Sequence, residues 1–84
     1  MELEQALGEI LRKARKDKGL SQETLALDAG VERNYVSLIE LGRNSPSMRV
    51  LFKLCAVLDL PPSAMLADVE AKMRTGHKKR PAKR

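Results

Sequence analysis

The stretch that decides the fold is Leu20-Ser21-Gln22-Glu23-Thr24-Leu25-Ala26-Leu27-Asp28-Ala29-Gly30-Val31-Glu32-Arg33-Asn34-Tyr35-Val36-Ser37-Leu38-Ile39-Glu40-Leu41-Gly42-Arg43. Its first half places Leu25, Ala26 and Ala29 on one helix face, behind Ser21 as a candidate N-cap. Gly30 ends that short helix, and positive φ is expected there. A second helix is expected over about residues 32–41, stopped by Gly42. Along it Val36, Ile39 and Glu40 share one face. Asn34, Ser37, Leu38 and Leu41 follow i, i+3, i+4, i+7 on the roughly opposite face. That second face mixes amide, hydroxyl and apolar groups, and two leucines facing open water would lack a reason.

Outward from this stretch the pattern stays helical, with neither strand alternation nor an internal repeat. Leu3, Leu7, Ile10, Leu11 and Ala14 predict a first helix over about 3–18, with Glu2 and Glu4 at its positive end, Lys16 and Lys18 at its negative end, and Gly19 as its stop. Arg43-Asn44-Ser45-Pro46 reads as loop. Ser47 can cap a fourth helix with core face Val50, Leu51, Leu54, Cys55 and Leu58, which Asp59-Leu60-Pro61-Pro62 breaks. A fifth helix carries Met65, Leu66, Val69 and Met73. The fold class is all-α, a compact five-helix bundle of roughly 70 ordered residues around one small core. The domain is expected over 1–71, with 72–84 as a disordered basic tail.

Composition narrows the chemistry. Eighty-four residues make one domain, and 32% charged with 43% hydrophobic residues is a globular mixture. No apolar run reaches the roughly 20 residues of a membrane span, and Glu2 and Glu4 stand where a signal peptide would be basic. Cys55 is the single cysteine and His77 the single histidine, so zinc and a His-based catalytic set are both unexpected. No cofactor or metal is implied, and an enzyme is a poor fit. The net charge of +5 is uneven: residues 72–84 hold seven basic groups and no acid, leaving 1–71 with nine basic against eleven acidic. Attraction to a polyanion must come from the tail or from a local cluster such as Arg12, Lys13, Arg15, Lys16 and Lys18.

Two short helices meeting at a tight turn have the layout of a helix-turn-helix, whose second helix enters the DNA major groove. The residues also resemble a known family, the phage-repressor-like (Xre-type) helix-turn-helix regulators, over about 7–67. The matching residues are Arg15, Gly19-Leu20-Ser21-Gln22, Leu25-Ala26, Gly30-Val31, Val36-Ser37, Ile39-Glu40 and Gly42-Arg43. Ser47, Leu51, Leu54 and Ala56 to Leu58 continue the pattern. Within the family, Arg33-Asn34-Tyr35-Val36 and Gly42-Arg43-Asn44 look most like restriction–modification controller proteins.

The resemblance implies that Arg33, Asn34, Ser37 and Leu38 read bases. By side-chain chemistry Arg33 would pair with guanine, Asn34 with adenine, and Leu38 would meet a thymine methyl. Ser21 and Gln22 begin a helix whose amide-rich N-terminus favours an anion, and the resemblance puts Gln22, Arg43 and Asn44 at phosphate-contact positions. Tyr35 has two roles open, a hydroxyl to phosphate or packing against its neighbours. Arg49 is a weaker phosphate candidate. Glu40 lies on a face that should be core and Arg15 borders the Leu11–Ala14 stripe, so burial would require each to have a partner. The resemblance implies that they pair with each other, fixing the angle of the recognition helix.

Cys55 reads as core. Phe52 points away from the stripe of its own helix, which fits either a cap on a small core or an intersubunit patch. The family dimerises through its last helices, which implies a homodimer with Phe52, Met65 and Val69 near the interface and two recognition helices about 34 Å apart. The tail reads as a phosphate-binding arm or as a solubilising end. The expected function is that of a dimeric, cytoplasmic, nucleoid-associated transcriptional regulator on a palindromic operator in double-stranded DNA. Its output would come by contact with RNA polymerase or by promoter occlusion. The alternative is a protein-interaction module of the same fold, such as an antitoxin that sequesters a partner.

Overall fold

Ser21 and Ser47 each start a helix by accepting a backbone N–H with the side chain, from Thr24 at 3.0 Å and from Val50 at 3.1 Å. These caps satisfy donors that the first helical turn cannot pair internally. The computed structural model describes residues 1–75, and the basic segment 76–84 with His77 lies outside the described residues. The elements are α1 (Leu3–Asp17), α2 (Gln22–Ala29), α3 (Arg33–Glu40), α4 (Met48–Leu58) and α5 (Pro62–Thr75). Among the described residues there is no strand. Helix α1 packs on α3 and α5, while α2 packs on α3 and α4.

The turn between α2 and α3 follows from one residue. Gly30 takes φ 73°, and this left-handed step lets the Val31 N–H return to the Ala26 carbonyl at 2.9 Å. Three residues then suffice to swing the chain into α3. Asp59 plays the same part after α4 with φ 59°, although it has a side chain, and Leu60 N–H reaches back to Cys55 at 3.0 Å. The break therefore falls at Asp59 and does not wait for the residue before proline. Pro62 opens α5, where its missing N–H costs nothing.

The core gathers Leu7, Leu11, Leu25, Ala26, Ala29, Val36, Ile39, Leu51, Leu54, Cys55, Leu58, Met65 and Val69, with one side from each helix. Helix α5 turns only Met65 and Val69 fully inward and leaves Leu66 exposed. Two expectations change. Val50 is half-buried at the rim. The domain does not end at residue 71: α5 runs to Thr75, Lys72 pairs with Glu9 of α1 at 3.2 Å, and Met73 packs on the core edge.

Candidate nucleic-acid interface

Helix α3 is divided lengthwise. Val36 and Ile39 have no exposed surface, whereas Arg33 and Asn34 are exposed and have no side-chain partner among the described residues. Ser37 and Leu38 are half-buried on the same outer side, and Leu41 just beyond the helix is 62% exposed. A helix held by two fully buried β-branched residues thus presents a guanidinium, an amide, a hydroxyl and leucine side chains outward.

The end of α3 is anchored by a polar cluster. Arg15 Nε donates to Glu40 Oε2 at 2.6 Å and Nη2 donates to Oε1 at 3.0 Å, a bidentate pair whose side chains are 9% and 3% exposed. The hydrogen bond to Glu40 raises the Arg15 pKa further above its ordinary value, against the desolvation that lowers it. Arg15 Nη1 also donates to the Leu20 carbonyl at 2.8 Å. Gln22 Nε2 donates to Glu40 Oε1 at 3.0 Å. The expected salt bridge between the first and third helices is present, and it is part of a larger network that the sequence reading did not foresee. Its effect is to set the first residue of α2 beside the last residue of α3.

The other expected phosphate positions distribute around that junction. Ser21 is exposed, although its Oγ already accepts from Thr24 N–H and its O–H donates to the Thr24 hydroxyl, both at 3.0 Å. Arg43 is exposed with no side-chain partner among the described residues, and Asn44 is exposed with Oδ1 accepting from Ser45 N–H at 2.9 Å. Tyr35 is half-buried and its hydroxyl accepts from Ser47 N–H at 3.4 Å, which ties α3 to the start of α4. The Tyr35 O–H remains available to donate outward.

Two expected interface residues are corrected. Met65 and Val69 are 1% and 2% exposed, so both side chains are used inside their own bundle and cannot meet a partner surface. Phe52, at 54%, is exposed as expected. Met48, one turn earlier on α4, is exposed as well and is an apolar neighbour that the sequence reading did not assign to this patch.

Reading the sequence also missed Gly8. A β-carbon there would stand 2.7 Å from the Glu40 carbonyl oxygen, and it would crowd the Ile39 carbonyl oxygen as well. A glycine in mid-helix, where it disfavours the helix by about 1 kcal/mol relative to alanine, was the available signal.

Comparison with known proteins agrees with this geometry. The profile of the helix-turn-helix family matches residues 11–65. The transcriptional regulator ClgR of Mycobacterium tuberculosis is 36% identical over 69 residues, which are 82% of this chain and 62% of that protein. Control protein C.MunI of Mycoplasma sp is 39% identical over 64 residues, 75% of this chain and 86% of that protein. The crystal structure of the clp gene regulator ClgR from Corynebacterium glutamicum superposes with a TM-score of 0.88 at 30% identity, over 94% of this chain and 84% of that one. With the two-helix turn at Gly30, the divided α3 and the profile match all covering the same residues, the chain belongs to the Xre-type helix-turn-helix family.

Proposed function

We propose that this chain is a sequence-specific DNA-binding transcriptional regulator that acts as a homodimer on a palindromic operator in the cytoplasm. The observation that carries the reading is the outer face of α3. Arg33 and Asn34 stand exposed, without a side-chain partner among the described residues, on a helix whose other face is fixed in the core. Guanidinium and amide groups so placed match the donor and acceptor edges of guanine and adenine in the major groove. Phosphate contacts would come from the start of α2 at Ser21 and Gln22, from Tyr35, and from Arg43 and Asn44, giving grip without sequence information. The likeness to the transcriptional regulator ClgR and to the control protein C.MunI supports regulation. The likeness to the restriction-modification controller protein C.AhdI from Aeromonas hydrophila, 40% identical over 74% of this chain with a TM-score of 0.72, supports the narrower role of controller. Phe52 and Met48, one turn apart on α4, offer an apolar patch for a two-fold partner. Contact with RNA polymerase or occlusion of a promoter would set the output.

Selection of bound sequences from random duplex DNA at near-physiological salt tests the reading. An inverted repeat with half-sites one helical turn apart is the expected product. Recovery of no sequence, with binding that only fades as salt rises, would leave charge alone and favour the protein-interaction alternative.

A further inference from the structure

We infer that Glu40 is a positioning residue for DNA binding and acts through the side-chain amide of Gln22. The inference rests on the DNA-binding reading above. Glu40 itself is too buried to meet a ligand, since its side chain is 3% exposed. Both its oxygens are committed: Oε2 to Arg15 Nε, and Oε1 to Arg15 Nη2 and to Gln22 Nε2. An ionised carboxylate can only accept, so the nitrogen end of the Gln22 amide must face it. The flip state of that amide is thereby set by chemistry inside the protein, before any ligand arrives.

What remains of Gln22 is one side-chain N–H and the carbonyl oxygen, on a half-exposed residue at the first position of α2. Beside it the backbone N–H groups of Gln22 and Glu23 have no acceptor among the described residues, because Ser21 serves Thr24 and Leu25. A held amide loses less rotamer freedom when it contacts a phosphate than a free one does. Arg15 makes the arrangement compatible with an anion. Its bidentate guanidinium neutralises Glu40, which would otherwise oppose a phosphate at this junction, and its third bond fixes the Leu20 carbonyl just before α2.

The test is a double-mutant cycle with Gln22→Ala, Glu40→Gln and the pair, read as affinity for the duplex recovered by selection and, separately, as thermal midpoint. Gln22→Ala is expected to weaken binding about tenfold with little change in midpoint, the size of one charge-assisted hydrogen bond. Glu40→Gln is expected to weaken binding distinctly more when Gln22 is present than when residue 22 is alanine. The same loss in both backgrounds would make Glu40 merely structural and overturn the inference, as would wild-type affinity in Gln22→Ala. Should Glu40→Gln not fold, the side-chain amide of Gln22 in the folded wild type gives the reading by NMR. One N–H protected from exchange, with both resonances shifting on DNA, supports it, and two fast-exchanging, unshifted protons overturn it. Failure of the wild type to recover any sequence sinks the regulator reading itself, whereas operator binding with an additive cycle sinks only the role of Glu40.

Discussion

Gly8 of α1 lies against the carbonyl oxygens of Ile39 and Glu40, so the last turn of α3 rests directly on the backbone of the first helix. No side chain separates them, and the approach is closer than any other residue would allow. Gly8→Ala brings two opposing effects. Alanine favours the helix by about 1 kcal/mol, whereas overpacking against backbone that cannot rotate away costs about 1–3 kcal/mol. The steric effect is expected to win, with a lower midpoint in urea and weaker operator binding through a displaced α3. A stabilised Gly8→Ala protein would show that the two helices can part without cost.

The Arg15–Glu40 pair is expected to behave as a buried ion pair. Arg15→Met alone leaves a carboxylate unpaired in the core and should cost about 3–5 kcal/mol. Arg15→Met with Glu40→Leu removes both charges and should recover much of that loss. Urea denaturation of the three proteins checks this, and equal losses in the single and double variants would contradict it.

Arg33 and Arg43 are expected to differ in kind. Arg33→Ala should cost about 1–3 kcal/mol on the operator and relax the preference at one base pair. Arg43→Ala should weaken binding evenly across sequences and reduce the salt slope by about one. Binding measured across salt on operator and scrambled duplexes separates the two, and identical profiles would remove the assignment of roles.

Asp59 holds a left-handed backbone that glycine adopts freely. Its ion pair with Lys18, at 4.0 Å and largely in solvent, has little to lose. Asp59→Gly should therefore raise stability by up to about 1 kcal/mol in thermal melts. A fall in the midpoint would mean that the Asp59 side chain contributes more than its exposure indicates.

Burial pushes the Cys55 thiol pKa up. A raised acid pKa means that the folded chain holds its proton more tightly than the unfolded chain, so stability is unaffected below the unfolded thiol pKa and falls as pH rises through and beyond it. Unfolding followed from pH 7 to 10 should show that decline, and Cys55→Ala should flatten it. An unchanged slope in Cys55→Ala would assign the decline to other groups.

The helices were legible because their stops are local. Gly19, Gly30 and Gly42 all take positive φ, and Ser21 and Ser47 cap where their spacing places them. The outer face of α3 was legible for the same reason, since helical periodicity fixes which side Val36 and Ile39 occupy. What escaped depends on how helices meet. Nothing in the spacing of Met65, Leu66 and Val69 says which of them α5 turns inward, and the docking of α5 on α1 and α4 decides it. The bond from Gln22 to Glu40 spans 18 residues and exists only once α2 and α3 are packed. Asp59 was masked by the two prolines after it, which offered a sufficient reason for the break.

The lengthwise division of α3 also bears on how such a protein can change. Everything the fold requires of this helix sits at Val36, Ile39 and Glu40, with Tyr35 at the margin. Positions 33 and 34 carry no part of that requirement, and positions 37 and 38 carry little of it. Descendants of one ancestral gene could therefore exchange these outward residues one at a time, each step leaving a folded protein, and drift apart in their targets while keeping the same scaffold.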